Sequence, residues 1–329
     1  MKEDNPLSRP APYILWPVVV LGIASISIAS LLIRLADAPA VTIAAYRVTL
    51  AALALSPAFL LGAPKTRRPR EPRTVRLTLL SGVFLALHFV FWIHSLQMTS
   101  VASSATLVST TPLFSAVFSY AILKEPAGRR LVPGIFCTLL GSAFVAGNDF
   151  SLSRTALWGD FLALAGAWMA TGYLLAGRIA RRSLGLTAYT FGSYGSAGTI
   201  LLSFCLLTGS PLDGFSTKTY TVLILLALVP QLIGHTSFNW TLKYLSPTSV
   251  AALILGEPIG ATLLAAVFLG ETVSPLKGIG LAVLCTGIVL STQPPAAPTI
   301  CEDVPADAAG GISPCNSSGV EVDSLAEKK

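Results

Sequence analysis

The chain has 329 residues, of which 53% are hydrophobic and only 12% are charged, and its mean hydropathy is +0.71. This composition excludes an ordinary soluble domain and predicts an integral membrane protein. The net charge of +6 does not indicate a nucleic-acid partner, because the basic residues cluster in short segments between long apolar ones.

Apolar segments near the ~20 residues that a membrane-crossing helix needs recur along most of the chain. They predict ten transmembrane helices, at 13–33, 39–62, 77–97, 101–123, 131–148, 158–177, 187–208, 219–240, 247–269 and 276–292. Helices are favoured over barrel strands because the segments are continuously apolar and do not alternate. The predicted fold class is therefore an all-α integral membrane protein.

The distribution of lysine and arginine predicts how these helices are oriented. With the N-terminal residues 1–12 in the cytoplasm, seventeen basic residues fall on the cytoplasmic side and four fall outside, namely Arg34, Arg154, Lys218 and Lys277. This asymmetry places both termini in the cytoplasm. We expect the plasma (inner) membrane, with an organelle membrane as the alternative. The polar segment 293–329 is predicted to be a disordered cytoplasmic tail.

A shift of 146 residues brings the first five predicted spans onto the last five. The matched pairs with most weight are Pro112 with Pro258, Glu125 with Glu271, Gly134 with Gly280, and Gly141 with Gly287. Each half, 13–148 and 158–292, holds an odd number of spans, so the second half must cross the membrane with the opposite orientation. Such inverted repeats build secondary transporters, whose substrate site lies near the bilayer midplane.

Two prolines lie inside the fourth and ninth predicted spans. Pro112 and Pro258 each leave a carbonyl one turn earlier without its helical hydrogen bond, so both helices should kink toward the protein interior. Glu257 directly precedes the second kink, where a charge costs roughly 2.5–3.5 kcal/mol. Arg47, midway along the second span, is deep enough to be its partner. A structural ion pair and a direct role of Glu257 toward substrate or protons both stay open.

Polar side chains recur at helical spacing in the third and eighth spans, and they point to a cavity between the two halves. Together with residues next to the two prolines, they suit a small organic solute with an apolar part. Hydrogen bonding between helices is the alternative role for each of them. These candidates for a substrate cavity are His88, Trp92, Ser95, Thr110, Thr111, Gln231, His235, Asn239 and Glu257.

Motifs of enzymes and ATP-driven pumps do not occur in the sequence, which has no HExxH, GxSxG, GxxxxGK[ST] or Cys/His cluster with metal spacing. We therefore predict no catalytic residue, no metal and no cofactor. A passive channel is the main alternative to a carrier, although no charged ring or filter-like Gly/Thr run indicates ion selectivity. A membrane-embedded enzyme is the weaker alternative, and the sequence is compatible with a monomer or a homodimer.

Three segments carry a family resemblance. They are AAYRVTLAALAL around Arg47, SLQMTSVASSATLVSTTPLFSAVFSYAILKE at 95–125 and TLKYLSPTSVAALILGEPIGATLLAAVFLGE at 241–271. With the two halves, they resemble the EamA family of the drug/metabolite transporter superfamily over residues 13–292. The resemblance implies a ten-helix carrier with cytoplasmic termini that moves amino acids, other metabolites or drugs, often outward.

The resemblance also assigns the family's usual motif positions to residues of this chain. These structural or gating candidates are Arg47, Pro112, Glu125, Glu257, Pro258 and Glu271. Glu125 and Glu271 stand at helix ends near water, where we interpret them as caps or gate contacts. The resulting hypothesis is alternating access to a cavity lined by the third, fourth, eighth and ninth helices and closed by the first and sixth. Transport would proceed by facilitated diffusion or by proton exchange.

Overall fold

The computed structural model describes residues 10–62, 71–99, 101–124, 130–146, 153–260, 264 and 275–292. Within these residues every regular element is helical, which confirms the predicted all-α class. The α-helices are α1 (Pro12–Ile26), α2 (Ala29–Leu35), α3 (Ala40–Leu61), α4 (Pro72–Met98), α5 (Val101–Val108), α6 (Thr111–Phe118), α7 (Leu131–Ala146), α8 (Arg154–Ala180), α9 (Leu186–Thr208), α10 (Thr217–Leu226), α11 (Thr236–Thr241), α12 (Pro247–Ile254) and α13 (Pro275–Thr292). Two π-helical stretches are Ser119–Leu123, after α6, and Ala227–His235, between α10 and α11.

Several of these helices match the length and composition that a membrane requires. Six helical stretches in the described part of the chain are long and apolar enough to span a bilayer, namely Pro12–Leu35, Ala40–Leu61, Pro72–Met98, Arg154–Ala180, Leu186–Thr208 and Thr217–Thr241. Three shorter apolar helices, Thr111–Leu123, Leu131–Phe144 and Gly278–Ser291, lie at three more of the predicted spans. The chain is therefore a multi-pass membrane protein.

Some sequence-based predictions fall on segments that are not described. The predicted ninth span, 247–269, is only partly described, as α12 and the residues just after it. Glu125, Glu271 and the predicted tail 293–329 lie outside the described residues.

Both intramembrane prolines coincide with helix breaks. The helix α5 ends at Val108, and α6 begins at Thr111 with Pro112 in its first turn. In the second half, α12 ends at Ile254 and a turn at 255–256 precedes Pro258. A proline cannot donate a hydrogen bond to the previous turn, which explains why both helices are interrupted at these points.

The helix pairs of the core recur under the 146-residue shift. The helix α4 packs along α8, and the corresponding stretches 217–241 and 12–35 pack on each other as well. The helix α4 also contacts α9, just as the stretch 217–241 contacts α3. Two further contacts join a helix to its own counterpart: α3 to α9, and α7 to α13. The contacts therefore follow the repeat that the sequence displays.

The helices α7 and α13 cross closely in antiparallel directions. A Cβ atom on Gly134 would lie 2.9 Å from the carbonyl oxygen of Gly287, and one on Gly141 would lie 2.8 Å from that of Gly280. The 146-residue shift carries Gly134 to Gly280 and Gly141 to Gly287. It therefore converts each of these two contacts into the other. Glycines at the crossing let the two backbones meet at a distance that any side chain would prevent.

The crossing gives a direct test of this packing. We expect Gly287→Ala to destabilise the protein by about 1–3 kcal/mol, because its new methyl group would lie 2.5 Å from the backbone nitrogen of Thr138. Gly278→Ala on the same helix is the matched control, since a Cβ there meets no atom within 4 Å. Thermal unfolding in detergent, followed by size-exclusion chromatography, compares the two variants. Equal melting temperatures would show that the crossing is not tightly packed.

Candidate substrate-binding site

A buried arginine lies at the centre of the helical core. Arg47 of α3 is 1% exposed, and its Nε donates a 2.8 Å hydrogen bond to Oε1 of Gln231. Gln231 is fully buried and belongs to the π-helical stretch Ala227–His235. The ring of Phe89 in α4 covers one face of the guanidinium, with 4.2 Å between Cζ and the ring centroid. The electron-rich ring face stabilises the cation where water is excluded.

Gln231 and His235 both face this core from the π-helical stretch Ala227–His235. Pro230 lies within it and has no N–H to donate, and π-helical turns are often found at functional sites. His235 is partly exposed and packs edge-on against Phe89, at 5.3 Å between ring centroids, and it also faces Tyr173 at 6.4 Å. Aromatic rings therefore surround the buried charge.

A hydrogen-bonded chain of side chains next to this cluster joins three helices of the second half of the protein. The hydroxyl of Tyr173 donates to Oδ1 of Asn239 at 2.8 Å, and Nδ2 of Asn239 donates to the hydroxyl of Tyr194 at 3.1 Å. Tyr194 in turn shares a 3.2 Å hydrogen bond with the hydroxyl of Thr236. Asn239 and Tyr194 are fully buried, so the chain fixes α8, α9 and α11 relative to one another.

His88 and Trp92 form a second aromatic group next to the first. Their rings stack nearly parallel, at 6.0 Å between centroids, and the ring of His88 also contacts Phe89 at 5.1 Å. The Nδ1 atom of His88 is hydrogen-bonded to the carbonyl oxygen of Gly166 at 2.9 Å, which requires the tautomer with a proton on Nδ1. Both imidazoles, His88 and His235, lie within electrostatic range of Arg47.

The two residues that precede the prolines occupy equivalent positions with different chemistry. The hydroxyl of Thr111 donates a 2.6 Å hydrogen bond to the carbonyl of Val108, which Pro112 leaves without its helical partner. Glu257 takes the place of Thr111 in the second repeat. Its carboxylate lies within electrostatic range of Arg47, although no direct ion pair joins the two among the described contacts.

The backbone at these two positions is held in the same way. The hydroxyl of Thr171 in α8 donates to the carbonyl of Thr111 at 3.5 Å, and the hydroxyl of Ser27, next to α1, donates to the carbonyl of Glu257 at 3.3 Å. A Cβ on Gly260 would collide with the Ser27 hydroxyl, so the Gly256–Gly260 spacing serves close packing against α1.

The hydroxyl of Thr111 has an effect on stability that can be measured. We expect Thr111→Val to cost about 1–3 kcal/mol, because it leaves the partly buried Val108 carbonyl without a donor. Thr199→Val is the control, since Thr199 donates to the Gly195 carbonyl inside regular helix, where the backbone already supplies a hydrogen bond. The melting temperatures of the two variants in detergent test this role of the Thr111 hydroxyl. A Thr111→Val protein as stable as Thr199→Val would contradict this role.

The other candidates lie at helix contacts. Ser95 is fully buried, and its hydroxyl donates to the Trp92 carbonyl at 2.8 Å and shares a 2.5 Å hydrogen bond with Ser104. The hydroxyl of Thr110, in the break between α5 and α6, donates to the Leu107 carbonyl of α5. The structure thus brings Gln231, His235 and the Asn239 chain around Arg47, while Ser95 and Thr110 bond to neighbouring helix atoms.

Contacts close the bundle at both ends of this cluster. At one end, Nη1 of Arg178 donates to the carbonyls of Leu242 and Lys243, and Nε of Arg181 donates to the carbonyl of Asn239 at 3.1 Å. Burial lowers the pKa of the Arg181 guanidinium. At the other end, the hydroxyl groups of α3 residues hydrogen-bond to the loop after α9, where Thr42 donates to the Pro211 carbonyl at 2.9 Å and Tyr46 donates to that of Leu212.

Three residues of the cluster are not among the sequence-based candidates. Phe89, Tyr173 and Tyr194 contact Arg47, His235 and Asn239, respectively. Phe89 is adjacent to His88 in the sequence, and the two tyrosines are polar aromatics inside apolar spans. These signals were available, but they are too common in membrane helices to single the residues out.

A multi-pass bundle whose helix contacts repeat between two halves, and which encloses a charged, aromatic-lined site, has the architecture of a membrane transporter. The comparisons agree with this class. The model of the EamA-like transporter family matches residues 12–147 and matches again at 157–293. The chain therefore belongs to the EamA-like transporter family, within the drug/metabolite transporters.

The relatives of this chain include an amino-acid exporter and a probable one. The chain is 30% identical to the threonine/homoserine exporter RhtA of Escherichia coli strain K12 over 287 residues, which cover 84% of this chain and 91% of that protein. It is 26% identical to a probable terminal-alkyne amino-acid exporter of Streptantibioticus cattleyicolor over 250 residues, 74% of this chain and 81% of that protein. A crystal structure at 19% identity shares the fold, with a TM-score of 0.71 over 86% of this chain and 97% of that chain.

Proposed function

We propose that the protein is a secondary transporter that moves a small organic metabolite, an amino acid or a related compound, by alternating access. The observation that carries this proposal is the buried Arg47–Gln231 pair, because a charge inside the membrane is costly and marks a substrate pathway in transporters. The amino-acid exporters among the relatives support the substrate class.

The proposed architecture is ten transmembrane helices in two inverted five-helix repeats. The recurrence of helix pairs under the 146-residue shift supports it. So does the antiparallel crossing of α7 with its counterpart α13, since two equivalent helices that run in opposite directions belong to halves of opposite orientation. The second family match at 157–293 supports the same boundaries for the repeats.

Two groups of helices could move relative to each other around the site. One proposed group comprises α4, α5, α6, α8 and α9, and the other comprises α1, α2, α3, α10, α11 and α12; the two meet where α3 packs along α9 and where α12 packs against α6. Arg47 and Gln231 belong to the second group and Phe89 to the first, so the site lies between them. The contacts of Arg178 and Arg181 at one end, and of Thr42 and Tyr46 at the other, join the two groups and would act as the inner and outer gates.

The charges at these ends support the proposed orientation. The end that carries Arg178, Arg181, Arg182 and Lys243 is the more basic one, which favours a cytoplasmic location for it and for both chain termini. The proposed location is the plasma (inner) membrane.

Coupling to protons would use Glu257. The repeat places Glu257 where Thr111 donates a hydrogen bond to a carbonyl that proline has freed. A protonated carboxyl group can donate such a hydrogen bond, and a carboxylate cannot. Loss of the proton from Glu257 would therefore remove the hydrogen bond that stabilises the helix break. The deprotonated carboxylate of Glu257 would instead be attracted to the positive charge of the nearby Arg47. Proton exchange is thus the proposed mode, with facilitated diffusion as the alternative that mutation of Glu257 tests.

Counterflow in proteoliposomes tests the proposed function. Vesicles loaded with unlabelled L-threonine should transiently accumulate external labelled L-threonine above its equilibrium level. This accumulation is expected because a carrier exchanges internal unlabelled solute for external labelled solute. A panel of other L-amino acids extends the search if threonine is not accepted. Flux that never saturates and never overshoots would identify a channel, and protein-free vesicles are the control.

A further inference from the structure

The Arg47–Gln231 pair has two polar atoms without a hydrogen-bond partner among the described residues. They are Nη1 of Arg47 and Nε2 of Gln231, and both are buried. The two side chains are already joined through Nε of Arg47 and Oε1 of Gln231. Buried polar atoms are nearly always paired, and an unpaired one costs about 1–3 kcal/mol, so two in one pair require an explanation.

The chemistry of these atoms defines what they can bind. The nitrogens of a guanidinium and of an amide are donors only, so their partner must present acceptor oxygens. The guanidinium is positively charged, which favours an anionic acceptor. A carboxylate offers two oxygens in one plane and is the group that arginine binds most readily through two parallel hydrogen bonds.

The surroundings restrict the direction from which this group can approach. Phe89 covers one face of the guanidinium, which leaves the edge that carries Nη1 as the side for a planar ligand. Glu257 is the acid within electrostatic range, but Nη1 has no partner, so its carboxylate does not occupy this edge. The ring of His235 packs against Phe89 and faces Tyr173, and these rings provide apolar surface for the rest of a small solute.

We propose that Nη1 of Arg47 and Nε2 of Gln231 bind the carboxylate of the transported solute. This inference rests on the proposed function and makes it specific: the substrate carries a free carboxylate, and the rest of the solute lies against the aromatic cluster. Both donors are enclosed in the structure, so the site would be occupied only after one of the gates has opened. Amides of the same amino acids lack the negative charge and should bind poorly.

Binding competition with acid and amide pairs tests the proposal. In purified wild-type protein, L-threonine should compete with labelled L-threonine about tenfold to a hundredfold better than L-threoninamide, as expected for hydrogen bonds to a charged group. Gln231→Glu has nearly the same shape and can still accept the bond from Arg47, but it replaces the free donor with an acceptor that repels a carboxylate. This variant should bind L-threonine as weakly as the wild type binds the amide.

The outcomes separate this inference from the proposed function. Counterflow of L-threonine together with equal competition by the acid and the amide would overturn carboxylate binding and leave the transporter intact. Wild-type affinity for L-threonine in folded Gln231→Glu would overturn it too. If L-threonine does not bind, the same acid and amide comparison is made with the other L-amino acids and with simple monocarboxylates, and the failure of every carboxylate to compete also refutes the site.

Discussion

Replacing Arg47 with glutamine is expected to lower transport per folded protein by about a hundredfold or more. Removing one member of a buried, hydrogen-bonded charge site costs about 2–5 kcal/mol, which corresponds to a factor of thirty to several thousand. The variant loses the 2.8 Å bond to Gln231, the stacking on Phe89 and the intramembrane positive charge at once. Initial rates of counterflow, normalised to the monodisperse fraction in size-exclusion chromatography, measure the loss.

Arg47→Lys is the matched variant for this prediction. It keeps the charge but loses the planar group that bonds to Gln231 and stacks on Phe89, so we expect an intermediate rate. The ranking of wild type, lysine and glutamine separates the effect of charge from that of geometry. Folded Arg47→Gln that transports at the wild-type rate would remove Arg47 from the transport pathway.

Replacing Glu257 with glutamine is expected to abolish accumulation driven by a pH gradient while counterflow at equal pH persists. Glutamine resembles the protonated carboxyl group and cannot lose a proton, so the helix break after α12 keeps a hydrogen-bond donor at every pH. Glu257→Thr, which copies the Thr111 position of the first repeat, should behave in the same way. Uptake of labelled substrate with and without an imposed pH gradient distinguishes coupled from uncoupled transport.

Asp160→Asn is the control for this experiment. Asp160 is also an acid within a membrane-spanning helix, but it accepts a 2.7 Å hydrogen bond from Ser103, and asparagine can accept the same bond. It should therefore retain gradient-driven accumulation. Full accumulation by Glu257→Gln would exclude Glu257 as the proton carrier and favour facilitated diffusion.

The sequence was most informative where covalent chemistry dictates the local structure. Proline cannot complete a helical hydrogen bond, so Pro112 and Pro258 indicated the two helix breaks that the structure contains. The shift that pairs Gly134 with Gly280 likewise predicted equivalent helices, and their antiparallel contact between α7 and α13 agrees with it. Composition alone was enough for the all-helical membrane class.

The sequence was less informative about which side chains meet. It placed Arg47 inside the membrane and left open whether Arg47 pairs with Glu257, whereas the structure gives a direct hydrogen bond to Gln231, which the sequence did not connect with Arg47. That contact depends on the rotation of α3 against the π-helical stretch Ala227–His235, and a single sequence does not encode such a rotation in any local pattern. Ser95 shares the spacing of a cavity-lining residue, but it bonds to Ser104, because a hydroxyl is satisfied equally well by a neighbouring helix.

Accessibility of the site from each side of the membrane tests alternating access most directly. His235→Cys would be made in a protein whose five native cysteines are replaced by serine, and a membrane-impermeant thiol reagent would be added to right-side-out or inside-out vesicles. His235 is partly exposed beside Phe89 and Tyr173, so a cysteine there reports on the site itself. Asp213→Cys, in the exposed loop after α9, is the control that should react from one side alone. We predict that His235→Cys reacts from both sides, and reaction from only one side would contradict the proposed mechanism.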